Sequence, residues 1–258
     1  MGMSQFAPLS GRAVRRVTGP ALQSTALFSW QARFGSLNAM TGQSGTHNPT
    51  SQQNGIDTTQ LSYLAAYDQP RWYDYQAWSP EPTSRVVGLL MRNLGDDVVT
   101  WPLTFLPQSL TVLLEGNDTN GATPVNGGGI IHLGNDAATG NALSVVGTAT
   151  TFQAVLTTGG GTVTSTMAEP MGNFRYRVVV QVEDNGTTQR VRIGASLNET
   201  AFAWGTWSST VTRAADFASG SKVRLNRVGS SGTLSNNFFR RFSIFPGLLT
   251  LDQATARL

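Results

Sequence analysis

The segment Phe174–Ile193 constrains the fold more than any other stretch of the chain. Phe174, Tyr176, Val178, Val180 and Val182 alternate there with Arg175, Arg177, Val179, Gln181 and Glu183. Period-two alternation sends successive side chains to opposite faces of a strand, so one set faces a core and the other faces out. Asp184-Asn185-Gly186 follows, and Asn-Gly tolerates the positive φ that tight hairpin turns require. The return strand, Gln189–Ile193, places Val191 and Ile193 on one face. The segment predicts a long antiparallel hairpin.

Shorter alternating runs recur on both sides of it. Leu27–Phe34 alternates Phe28, Trp30, Ala32 and Phe34 with polar residues. Arg85–Leu94, Val98–Leu106, Leu110–Glu115, Ile130–Leu133, Ala142–Val146, Thr151–Leu156 and Thr162–Thr166 are further strand candidates, punctuated by Gly, Asn and Asp. Pro102 marks the second of these as an edge or bulged strand, because proline cannot donate to a ladder. Trp207–Thr212, Lys222–Val228 and Phe238–Phe245 follow. Thr250-Leu251-Asp252-Gln253 has the spacing of a capping box and predicts a short C-terminal helix over Leu251–Leu258. Residues 1–25, broken by Pro8, Gly11, Gly19 and Pro20, read as an extended arm. Residues 35–60, rich in Asn, Gln, Ser, Thr and Gly, read as a long polar loop. The expected fold class is all-β: an antiparallel jelly-roll sandwich over 26–258, preceded by the arm and closed by the helix.

Composition narrows the chemistry. The 258 residues include no Cys, which removes disulfides and Cys-ligated metal, and the two histidines, His47 and His132, cannot make a His-rich centre. No stretch approaches the ~18 apolar residues of a membrane span, and no signal peptide is expected at the N-terminus. Charged residues are 13%, about half the usual ~25%, while 40% hydrophobic content is enough for a core. The formal charge of +3 is concentrated at the front. Residues 1–60 carry Arg12, Arg15, Arg16 and Arg33 against the single acid Asp57, and the remainder is neutral.

The run FRYRVVVQVEDNGTTQRVRIGAS is similar to the late hairpin of concanavalin-A-like (laminin-G-like) jelly rolls. SKVRLNRVGSSGTLSNNFFRRFSIFPGLLTLDQATARL resembles that family's ending: a strand, a Gly-rich turn, an aromatic-rich last strand and a Leu-Thr helix start. The resemblance covers about 173–258, with a loose match at Phe28–Phe34. Such domains recur in virion proteins of tailed bacteriophages as decorations, fibres and receptor-binding modules. The resemblance therefore implies a homo-oligomeric virion structural protein, three-fold packing being common among such parts, that is assembled in a host cytoplasm.

Candidate sites follow from residue type. Glycosidase chemistry needs two carboxylates facing one bond, and Asp96-Asp97 and Glu183-Asp184 are adjacent turn pairs that point apart. Neither histidine sits in the setting of a Ser–His–Asp triad, so a non-enzyme is expected, with no cofactor. Asp96, Asp97, Asn117, Asp118 and Asn120 offer loop oxygens to calcium, but turn chemistry explains them better, and no metal site is assigned. Trp72, Tyr73, Tyr75 and Trp78, together with Trp204 and Trp207, suit either a sugar-stacking platform or a core and subunit interface. Arg12, Arg15 and Arg16 read as a docking arm that orders on a neighbouring subunit, since guanidinium forks pair with carboxylates and carbonyls. The alternatives are a simply disordered arm and a contact to nucleic acid, for which three arginines without interleaved aromatics on a neutral body are thin, so nucleic acid is not an expected partner. The expected partners are other virion proteins and copies of the chain itself. The alternative is a lectin-like adhesin that uses exposed aromatics on host-surface glycans.

Overall fold

The computed structural model describes residues 26–31, 40–42, 45–47, 51–53, 71–75, 86–91, 98–102, 106–118, 128–135, 141–148, 150–168, 175–197, 201–213, 222–228 and 237–258. In chain order they form strands β1 (Phe28–Gln31), β2 (Met40–Gly42), β3 (Gly45–His47), β4 (Ser51–Gln53), β5 (Arg71–Tyr75), β6 (Val86–Met91), β7 (Val98–Pro102), β8 (Leu110–Asp118) and β9 (Gly128–Gly134). Then come β10 (Ala142–Gly147), β11 (Thr151–Thr158), β12 (Gly161–Ala168), β13 (Arg175–Asp184), β14 (Thr188–Leu197), β15 (Ala203–Trp204), β16 (Val211–Thr212), β17 (Lys222–Leu225), β18 (Asn237–Pro246) and helix α1 (Leu251–Thr255). The predicted arm at 1–25 lies outside the described residues.

Two antiparallel sheets face each other. The first runs β15-β14-β13-β8-β18-β1-β2-β3, with β16 also on β14 and the β5–β6 pair attached to β18. The second runs β12-β11-β10-β9-β17-β7-β4. Alternation decides which side chains meet between them. Val112, Leu114, Tyr176, Val178, Val180, Val191, Ile193, Phe242 and Ile244 come from the first sheet, and Leu133, Leu143, Val145, Phe152, Leu156, Val223 and Leu225 from the second. Trp30, Trp101 and Phe242 pack mutually, with ring centroids 5.5 to 5.9 Å apart, and so join the two layers. Each such aromatic pair adds about 1 kcal/mol beyond its buried area. The antiparallel sandwich expected from the sequence is the fold.

The Val-rich hairpin forms in the expected register, Val180 opposite Ile193 and Val182 opposite Val191. Its turn is centred one residue later than the Asn-Gly signal implies. Asn185 N donates to Thr188 O at 3.1 Å, Gly186 takes φ of +96°, and Asn185 stays out of the left-handed region. The Asn185 side-chain oxygen instead accepts the N–H groups of Thr187 and Thr188, so the residue works as a cap on the turn.

Two further expectations need correction. The stretch 35–60 is not loop throughout, because β2, β3 and β4 fall within it. These strands are three residues each, too short to show alternation, and backbone pairing fixes them: β2 to β1, β3 to β2 and β4 to β7. Pro102 does not make β7 an edge strand, since β7 lies between β17 and β4. β4 reaches only from Val98 to Thr100, so the proline sits past its end, where no donor is needed.

The outward face of the first sheet carries a small second core. Leu113, Val179 and Phe245 are covered by Leu249 and Ala254 of the C-terminal segment. Thr111 Oγ1 donates to Gly247 O at 2.8 Å and accepts from Leu249 N at 3.0 Å, tying that segment down. α1 begins with the expected capping box: Gln253 N donates to Thr250 Oγ1, and Thr250 N donates to Gln253 Oε1. It ends earlier than expected, at Thr255.

Candidate functional site

The site is built on the outward face of β13 and β14 and on the segment that crosses their free edge. Residues at even-numbered positions from 190 to 194 on β14 point away from the core, which places Arg190, Arg192 and Gly194 in one row. β15 pairs with β14 so that Trp204 lies opposite Gly194. That position has no room for a side chain. A Cβ on Gly194 would come within 2.8 Å of the Trp204 ring and 2.9 Å of Ala203 O, so the indole rests directly on the strand.

Between β15 and β16 the chain keeps hold of β14 through Gly205 N to Ile193 O (2.7 Å) and Ser208 N to Val191 O (2.8 Å). It is also held by the second sheet. Ser165 Oγ donates to Thr206 O at 2.7 Å and accepts from Ile193 N, while Thr158 Oγ1 donates to Thr212 O at 2.8 Å. The crossing segment thus presents Trp204 and Trp207 at fixed positions beside the arginine row.

The side chains then interleave. The Arg192 Cζ lies 4.1 Å from the Trp204 ring centroid and 4.5 Å from that of Trp207, and the Arg190 Cζ lies 4.6 Å from Trp207. Guanidinium groups over indole faces are held by about 1 kcal/mol each at partly exposed sites. Arg190 Nε also meets Glu183 Oε2 at 2.5 Å, and Arg192 Nε donates to Gln181 Oε1 at 2.8 Å. Gln181 is fully buried, and its amide is oriented from behind, because its Nε2 donates to Leu249 O at 2.6 Å. Burial lowers the Arg192 guanidinium from its ordinary value; nearby Glu183 acts to raise it and Arg190 to lower it. An arginine remains charged at neutral pH regardless.

Beyond Arg190 the same edge opens into a depression of about 400 Å³ lined by Glu183, Asp184, Asn185, Gln189, Arg190 and Thr210. Its two carboxylates are both engaged, Glu183 by Arg190 and Asp184 by Arg213 Nε at 3.0 Å. Among the described residues no three His, Cys, Asp or Glu side chains come together to hold a metal.

Of the aromatics picked out in the sequence, the structure brings Trp204 and Trp207 together, both half-buried. Trp72, Tyr73 and Tyr75 lie on β5 at the opposite end of the first sheet. Five strand spacings separate β5 from β14, on the order of 24 Å. Trp78 and Arg12, Arg15 and Arg16 lie outside the described residues, as do Asp96, Asp97 and Asn120. His132, whose neighbours in sequence suggested nothing, is buried with Nδ1 2.9 Å from Ser144 Oγ and Nε2 3.3 Å from Asn135 O. Arg190, Arg192 and Gln181 were legible only as outward positions of a hairpin. Their role depends on Trp204, Trp207 and Leu249, which no local pattern connects to them.

No protein-family model and no curated protein matches the sequence. Solved structures do match. Domain 4 of AbnA, an extracellular arabinanase from Geobacillus stearothermophilus solved in complex with arabinotriose, superposes with a TM-score of 0.55 at 10% identity, covering 90% of this chain and 98% of that domain. The receptor-binding domain of botulinum neurotoxin type G superposes with a TM-score of 0.58 at 11% identity, and that of type D with 0.56 at 10%. This chain spans about half the length of those neurotoxin domains, 51% and 52%. At such identities the likeness is one of fold, and it defines the class as an antiparallel β-sandwich.

Proposed function

We propose that this chain is a non-catalytic binding and display module of a virion. In this reading its sandwich is concanavalin-A-like and recognises glycan, while the N-terminal segment with Arg12, Arg15 and Arg16 docks it among virion proteins and copies of itself. The observation that carries the recognition half is the β14–β15 edge. There, half-exposed arginines are held rigid by indoles beside an open polar depression. Pre-set polar groups bind with less loss of side-chain freedom than mobile ones. The fold neighbours support the same reading, because one of them is a domain solved with an arabinose trisaccharide and others are receptor-binding domains. The virion half rests on the resemblance of the C-terminal third to phage jelly rolls and on the basic, acid-poor front of the chain.

A purely structural role is the competing reading. It is favoured by the arginines themselves, which lie over the Trp204 and Trp207 faces that a sugar ring would otherwise stack on. A glycan array with the wild-type chain and Trp207→Ala, each checked for an intact thermal transition, decides between them. Binding lost in the variant supports recognition at this edge, and no binding by wild type supports scaffolding. Antibody labelling of purified particles tests the location: labelled virions are expected, and label confined to unassembled protein contradicts it.

A further inference from the structure

Arg192 differs from the ion-paired arginines described on and beside the first sheet. Arg190 is paired with Glu183, Arg213 with Asp184, and Arg240 and Arg241 with Glu115. Arg192 makes no ion pair among the described residues. Its Nε donates to the neutral Gln181 Oε1, and its two terminal nitrogens meet no acceptor among the described residues, yet neither is a buried atom. The cation is nevertheless fixed. Its Cζ sits over the rings of Trp204 and Trp207, and Gln181 holds its Nε, the Gln181 amide being set by Leu249 O. The ring contacts consume no N–H, and Gln181 takes only Nε, so the terminal nitrogens keep their donors for an anion with two acceptor oxygens.

Resting on the glycan-binding reading above, we infer that Arg192 is an anion-binding fork that takes the carboxylate or sulfate of an acidic sugar. A carboxylate or sulfate accepts two parallel N–H bonds from the terminal nitrogens, and these charge-assisted bonds are roughly twice as strong as neutral ones. Arg190 stands two residues along the same strand, about 7 Å away, and lines the depression. The exposed Thr210 hydroxyl and the Asn185 side-chain NH2, whose oxygen is already held by the turn, suit the hydroxyls of the same or the next sugar. The preferred ligand is therefore a polysaccharide with acidic residues, and the neutral remainder of each unit occupies the polar depression.

The test immobilises the full chain and measures retention of three probes: polygalacturonate (carboxylate), dextran sulfate (sulfate ester) and unsubstituted dextran. Wild type is expected to hold at least one acidic probe ten or more times more tightly than dextran. The stronger of the two acidic arms identifies the acid. Arg192→Gln is expected to abolish the preference, and Arg257→Gln, which removes an equal charge from the C-terminal segment, to keep it. If Arg192→Gln does not fold, Arg192→Lys carries the test. It keeps the charge without the fork and is expected to lose at least threefold. Equal retention of acidic and neutral probes overturns the inference while leaving glycan binding in place. An equal loss in the Arg192 and Arg257 variants also overturns it, since that is bulk charge attraction. Retention of none of the three overturns it too, and the glycan array then decides the reading beneath it.

Discussion

Glu115 on β8 is 1% exposed and accepts from Arg240 Nη1 at 2.5 Å and Arg241 Nε at 2.7 Å, with Arg177 Nε 3.8 Å away. It faces outward beside the second core, and its charge is what permits three arginines to crowd there. Removing one partner of a buried ionic group leaves the others uncompensated and costs several kcal/mol. Glu115→Gln is therefore expected to lower stability by about 3 kcal/mol, seen as a reduced urea midpoint with the slope unchanged. Gly194 gives a steric counterpart. With Trp204 at 2.8 Å from a new methyl, Gly194→Ala must lift the indole or bend β15, costing about 1–3 kcal/mol. The near-UV circular dichroism of the tryptophans is expected to change with it; an unchanged spectrum would mean that the ring does not rest on this strand. Which residues face inward was legible at this scale, because Val178, Val180, Val191 and Ile193 follow simple alternation and are fully buried. What the outward residues do was not. Arg192 takes its stacking partners from 12 and 15 positions away and its orientation from Leu249, distances over which one sequence carries no signal.

The C-terminal segment acts as one element with Thr111 at its root. The Thr111 hydroxyl bonds Gly247 O and Leu249 N, and Leu249 O in turn fixes Gln181. Thr111→Val keeps the shape but leaves Gly247 O and Leu249 N without that partner, at a cost of about 1–3 kcal/mol. Hydrogen exchange is expected to quicken over 248–258, and the Arg192 environment to loosen with it. Exchange raised evenly across the whole chain would contradict a local clasp. The helix in this segment was legible because a capping box is a local motif: Thr250 and Gln253 satisfy each other's backbone donors. The hairpin was legible for the same reason, although its turn pivots on Gly186-Thr187 and not on Asn185-Gly186. β2, β3 and β4 were not, since three-residue strands show no alternation: β2 and β3 are known by their pairing with each other and β1, and β4 by its ladder with distant β7.

Across the whole molecule, the many short alternating runs pointed correctly to two antiparallel layers. Their order was beyond reach. β8 pairs with both β13 and β18, and β17 inserts between β9 and β7, so the core is assembled from contacts more than 50 residues apart. That assembly also makes the proposed binding edge, because Ser165 and Thr158 of the second sheet anchor the segment that carries Trp204 and Trp207. Ligand contact at this edge should therefore tighten both sheets locally. The most direct measurement is hydrogen–deuterium exchange of the full chain with and without saturating acidic polysaccharide. Slower exchange is expected, confined to about 183–194 and 203–213. Unchanged exchange there, or protection centred on β5 at the far end of the sheet, would contradict it.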